Sequence, residues 1–209
     1  MAQSGDALIV VASVVRVPLA VALAVSLPVS AGFGQWSAAI EVGAARFWGG
    51  SFEAGPEHRS FRPYRPATFG AALQRRVGSV SLGMRLWYTE AGLALEGSDA
   101  VVVAKGIFTI YSALPELSYR LATIGAGNRL ELQGGPLLEV WRIVDEKSRT
   151  RLGLQGGGSL HIPLGGRLTG TLGVGAALIP SPFEEGELPG YNLRPLWRRR
   201  FAAGLRCRL

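Results

Sequence analysis

Val80-Ser81-Leu82-Gly83-Met84-Arg85-Leu86-Trp87-Tyr88 alternates with a period of two. Val80, Leu82, Met84, Leu86 and Tyr88 fall on one side of an extended chain, against Ser81, Gly83, Arg85 and Thr89 on the other. Successive side chains of a β-strand point to opposite faces, so the segment is a strand with one apolar and one polar face. Immediately before it stands Val77-Gly78-Ser79, a tight glycine turn of the kind that closes a hairpin. Before that turn, Phe69, Ala71, Leu73 and Val77 alternate with Thr68, Gly70, Ala72, Gln74 and Arg76. Arg75 breaks the apolar side close to the turn.

Working outward, the same period recurs from Gln35 to the last residue, and no long stretch keeps a helical one. Trp36, Ala38, Ile40, Val42 and Ala44 oppose Ser37, Ala39, Glu41, Gly43 and Ala45. The fourth run, about 106–124, contains Pro115. Phe108, Ile110 and Leu114 fit one phase and Leu117, Tyr119 and Leu121 the other, which predicts a bulge at Pro115-Glu116. Leu130, Leu132, Leu138 and Val140 then oppose Glu131, Gln133, Gly135 and Glu139. Leu152, Leu154, Leu160 and Ile162 oppose Arg151, Gln155, Ser159 and His161, and Leu168, Leu172, Val174, Ala176 and Leu178 oppose Thr169, Thr171, Gly173 and Gly175. Trp197, Phe201, Ala203, Leu205, Cys207 and Leu209 oppose Arg198, Arg200, Gly204, Arg206 and Arg208, with Arg199 interrupting the apolar face.

That is eight strands. The joins at residues 77–79, 125–128 and 164–166 are short and glycine-rich, while those at about 49–65, 91–105, 144–149 and 180–194 are longer and more polar. Strict alternation of long and short joins is the order of an up-and-down barrel whose two ends face different compartments. The fold class expected is therefore all-β, an eight-stranded antiparallel up-and-down transmembrane β-barrel.

Composition agrees. Charged residues make up 18% of the 209-residue chain, below the roughly 25% of a soluble domain. Of the 22 basic residues, Lys105 and Lys147 are the only lysines; the rest are Arg. One Cys excludes a disulfide scaffold and a Cys-based zinc site, and two His leave little room for metal chemistry. No cofactor and no metal site are expected. Near the N-terminus, Arg16 precedes an apolar run from Val17 to Val29, and Val29-Ser30-Ala31 carries small residues where a signal peptidase cuts. Residues 1–31 are read as a signal peptide, with the true start near Val15, and residues 32–209 as the barrel. A transmembrane helix from Ala7 to Val29 is the rival, burdened by Arg16 in its middle.

Alternation does not say which face points outward, since a soluble lipocalin-like barrel shows the same period turned inside out. Three features choose the membrane. The polar face is Gly, Ser, Thr, Gln and Arg, which suits a narrow lumen better than a solvent coat. Most Trp fall at strand ends, where membrane interfaces hold aromatic girdles. Apolar faces run for about nine to eleven residues, the length of a tilted membrane strand.

On this pattern of strand number, alternation, join order and rim aromatics, the segment from about Gln35 to Leu209 resembles the small OmpA-type and OmpX-type outer-membrane β-barrel proteins. The resemblance implies a bacterial outer-membrane location, periplasmic short turns, outer-facing long joins and a role in structure or surface interaction. It also implies an aromatic last residue, and here the chain departs, ending in Leu209.

Glu41, Arg76, Arg85, Arg120, Glu131, Glu139, Arg151 and Arg206 fall on the predicted inner face. Charges in a narrow lumen must pair, so they are expected to form an ionic plug. Trp36, Trp48, Tyr88 and Trp197 are the expected membrane-interface aromatics. Trp87 and Trp141 fall on the lumen side. Arg194, Arg198, Arg199 and Arg200, with Arg59, Arg62 and Arg65, suit contact with lipopolysaccharide phosphates. The expected partners are thus outer-membrane lipids, lipopolysaccharide and an extracellular ligand at the long joins. Nucleic acid is not expected, and neither is a stable oligomer. Ser159 and His161 share a face near a short turn, and His58 lies in the first long join. Neither forms a recognised catalytic motif, so a lipid A-modifying enzyme and a soluble carrier of small apolar ligands stand as alternatives.

Overall fold

The structure, a computed structural model, describes residues 35–49, 52–53, 60–96, 101–144, 147–184 and 191–209. The expected leader, His58 and Arg59 lie outside the described residues, as do the side chains of Arg62 and Arg65. Eight long strands form the wall: β1 Gln35–Gly49, β2 Ser60–Val77, β3 Val80–Glu96, β4 Val101–Ile124, β5 Asn128–Ile143, β6 Arg149–Gly165, β7 Leu168–Ile179 and β8 Leu196–Arg208. Each pairs antiparallel with its neighbour in sequence, and β1 pairs with both β2 and β8, closing the ring. Two short strands, Phe52–Glu53 and Tyr191–Asn192, pair with each other above the wall.

Closure leaves none of the eight long strands at an edge, so within the wall the ladder satisfies the backbone without help from water. Register partners run from Ala38 through Leu73, Met84 and Pro115, then through Pro136, Leu154, Leu178 and Trp197. They return to β1 at Trp48, ten residues further on (38 to 48). Such a stagger in an eight-stranded barrel tilts the strands by about 40°. The short joins are hairpin turns. Gly78 takes φ 64°, the left-handed conformation that a two-residue turn between Val77 and Val80 requires.

The apolar face points outward. Ile40, Leu82, Leu152 and Phe201 are more than 60% exposed, whereas Glu41, Arg85, Glu131 and Glu139 are buried. A soluble lipocalin-like barrel would show the reverse.

Two sequence expectations need correction. First, β4 has no slip at Pro115. Phe108, Ile110, Ser112, Leu114, Glu116 and Ser118 all face the lumen in one phase, and the register of β4 against β5 shifts only between Arg120 and Ala122. Pro115 and Pro136 instead face each other between the pairs Ala113–Leu138 and Leu117–Gly134. Neither has an N–H to donate, so the ladder skips them without changing register. Second, the joins between β1 and β2 and between β3 and β4 are shorter than expected, because β2 starts at Ser60 and β3 and β4 reach Glu96 and Val101.

Inner-wall glycines make room for large side chains. A Cβ on Gly70 would stand 2.5 Å from Trp87 Cε3, so the indole lies flat on the bare backbone. Gly70→Val is expected to expel the ring and destabilise the barrel by about 1–3 kcal/mol. The check is its urea midpoint in lipid vesicles, followed by tryptophan fluorescence.

Candidate functional site

The lumen is built in layers, and strand register decides which side chains meet. At the short-turn mouth, Arg76 Nη2 donates to Glu131 Oε1 at 2.5 Å. Glu131 Oε2 lies 3.2 Å from His161 Nε2, and Ser159 Oγ stands 3.0 Å from the same nitrogen. β5 and β6 supply this group because Glu131 and Ser159 are register partners.

The next layer centres on Glu116. Its Oε1 accepts from Arg85 Nη2 and from Ser118 Oγ, each at 3.1 Å, and from Gln74 Nε2. Arg85 Nη2 also reaches Gln133 Oε1 at 3.2 Å and Glu41 Oε1 at 3.6 Å, and Arg206 Nη1 donates to Gln74 Oε1. Above it, the Arg200 guanidinium lies 3.9 Å from the centre of the Trp87 ring, a cation–π contact.

Glu139, fully buried, anchors the following layer. Oε1 accepts from Arg198 Nη1 at 2.5 Å and Ser112 Oγ at 2.9 Å, and Oε2 from Trp141 Nε1 at 3.0 Å. An apolar cap completes the stack toward the long joins. It consists of Phe47, Phe108, Ile110, Leu114, Leu137 and Trp141, with Ala91, Ala177, Ile179 and Leu196. Phe47 and Phe108 each pack edge-on against Trp141, with ring centroids 5.9 Å apart.

Glu41, Arg76, Arg85, Glu131, Glu139 and Arg206 therefore come together inside the wall, while Arg120 and Arg151 do not. Arg120 Nη2 donates to Gly78 O at 3.2 Å at the short-turn rim. Arg151 donates through Nε to Ser181 O at 2.7 Å and lies 3.5 Å from Glu184, clamping the β7–β8 join at the opposite rim. Arg198 and Arg200, grouped by sequence with residues facing lipopolysaccharide, are buried in the lumen. Only Arg199 of that triplet points outward, 4.4 Å from the centre of the Trp48 ring. Glu116, Gln74, Gln133 and His161 are lumen members that the expected ionic set omitted.

On the outer surface Trp48 and Trp197 are register partners at the long-join end. Tyr88 packs at a tilt against Tyr111, with ring centroids 5.6 Å apart, and Trp36 lies at the short-turn end, its ring centre 5.9 Å from the Arg75 guanidinium. Ser159, His161 and Glu131 do not form a nucleophile relay. That chemistry needs the hydroxyl and the carboxylate on opposite ring nitrogens. Here both address Nε2, and Nδ1 has no partner.

No family model matches the chain, and no curated protein matches it. Solved structures do. Neisserial surface protein A superposes with a TM-score of 0.56 at 11% identity, over 83% of this chain and 97% of that one. The outer membrane protein AlkL, solved in lipid bilayers, superposes with a TM-score of 0.50 at 14% identity, over 88% and 94%. With the closed ring, the outward apolar belt and the polar lumen, these likenesses show what the chain is: an eight-stranded transmembrane β-barrel with the fold of the small outer-membrane barrel proteins.

Proposed function

We propose that the protein is a non-enzymatic barrel of the bacterial outer membrane that conducts no solute. On this reading it works at its long-join rim, as a structural element or by presenting those joins to an extracellular ligand. The observation that carries the reading is the filling of the lumen. Between the Glu131 and Arg85 layers lies a free space of about 10 Å³, room for roughly one water. An ion crossing it would have to break carboxylate–guanidinium pairs at low dielectric, then pass an apolar cap with no polar partner to offer.

The outward face near the long joins suits work at that rim. Arg46 and Arg199 are register partners on the outward face near the long joins, beside Trp48 and Trp197. Guanidinium groups at that height suit lipopolysaccharide phosphates, and the indoles suit the interface.

Planar-bilayer recording tests the closed lumen. Purified barrel at single-molecule density is expected to give no sustained conductance steps. Discrete, long-lived openings would overturn the reading and make the protein a channel.

A further inference from the structure

Guanidinium groups crowd the short-turn mouth of the lumen. Arg76 at the end of β2, Arg129 at the start of β5, Arg167 in the β6–β7 turn, and Arg206 and Arg208 at the end of β8 line one cleft. They approach it from four sides of the ring. The free volume of the cleft is about 40 Å³. One water needs roughly 10–15 Å³, so the cleft has room for about three waters or one small tetrahedral oxyanion.

Its charge is unbalanced. Among the described residues, Glu131 is the one carboxylate paired with a lining arginine, and it is shared between Arg76 at 2.5 Å and His161 at 3.2 Å, while Glu116 meets the lining only through the neutral amide of Gln74. Arg206 spends its Nη1 on the neutral Gln74 oxygen. Arg129, Arg167, Arg206 and Arg208 have no carboxylate partner among the described residues. The Nε–H groups of Arg76, Arg129 and Arg206 are shielded from solvent and unpaired.

Buried donors without acceptors are costly, and neighbouring guanidinium groups repel where water is scarce. One ligand relieves both problems, a compact anion whose oxygens accept from several directions. The planar fork of Arg matches phosphoryl oxygens in this way. A monocarboxylate offers two oxygens in one plane and a single charge, too little for a ring of five arginines.

We propose that this cleft is an anion site for a phosphoryl group, gripped by Arg76, Arg129 and Arg206, with Arg167 and Arg208 at its lip. The group belongs either to a lipid headgroup packed against the rim or to a soluble phosphate entering from the aqueous side. The site is distinct from the closed lumen above it and stands whether or not the barrel conducts.

The full barrel, in a maltoside detergent that carries no phosphate, provides the test. Inorganic phosphate is titrated calorimetrically at constant ionic strength, and phosphatidylglycerol doped into the micelles is followed by native mass spectrometry. Saturable binding of the first probe is expected for a soluble-phosphate site, and selective retention of the second for a headgroup site. In either case Arg129→Gln/Arg206→Gln should weaken binding at least tenfold. Heat-modifiable gel migration reports folding of each variant. Should the glutamine pair fail to fold, Arg129→Lys/Arg206→Lys keeps the charge, loses the fork and should still weaken binding several-fold. Failure of both probes to bind saturably overturns the proposal, as does a folded double variant that binds as tightly as the parent.

Discussion

Replacing Glu139 with Leu should lower barrel stability by about 3–5 kcal/mol, and replacing Arg198 with Met in the same chain should restore most of that loss. Glu139 is fully buried and accepts three hydrogen bonds, from Arg198, Ser112 and Trp141. Removing the carboxylate leaves the buried Arg198 guanidinium without its counter-charge, in a place where water cannot take over. Arg198→Met alone does the converse, stranding a carboxylate in the lumen. The pair together swaps two charges for apolar volume beside the cap, where Phe47 already covers Arg198 at 5.8 Å. Recovery stays incomplete, because Ser112 Oγ and Trp141 Nε1 lose their acceptor, and an unpaired buried donor costs about 1–3 kcal/mol. Urea midpoints of the parent, both single variants and the double variant in the same vesicles close the cycle. Strictly additive losses would show that the two charges do not depend on each other.

Orientation and closure are legible in the sequence: period two marks two unlike faces in each strand, and the alternation of long and short joins marks an up-and-down ring. Gly, Ser and Arg opposite Leu and Val said which face met lipid. The middle of the lumen was harder. Glu116 follows Pro115, and a proline in a central strand signals a bulge, so the sequence on either side reads as two phases. Yet Ser112, Leu114, Glu116 and Ser118 keep one unbroken alternation, and Pro136 across the seam supplies the match that makes the proline tolerable. Only pairing, which a single strand does not encode, reveals that. The apolar cap is hidden in the sequence for a related reason. Leu137 and Leu138 are adjacent, so both faces of β5 look greasy there, and alternation loses its contrast where the lumen itself turns apolar. Arg198 and Arg200 lie on the inner face by parity, but the run Arg198-Arg199-Arg200 reads as a solvated basic patch until two of its three members are seen to fill a core.

Val42→Arg should destabilise the barrel by about 2–4 kcal/mol in lipid vesicles, the cost of a guanidinium near the bilayer midplane. Val42 lies near the centre of β1, is 56% exposed, and has Phe69 and Ala203 as register partners. A surface valine changed to arginine in a water-soluble barrel would cost almost nothing. The same substitution therefore separates a lipid-facing wall from a solvent-facing one. The chain supplies its own depth control four residues along the same face. Arg46 stands opposite Arg199 at the level of Trp48 and Trp197. There a charge reaches the headgroups, and the cost near the interface falls to about 0–1 kcal/mol. Arg46→Val is accordingly expected to change stability by less than about 1 kcal/mol. A steep contrast between positions 42 and 46 is what a bilayer gradient produces. If Val42→Arg is tolerated within about 0.5 kcal/mol, the apolar belt does not face hydrocarbon. The outward leucines and valines would then need a protein partner to cover them.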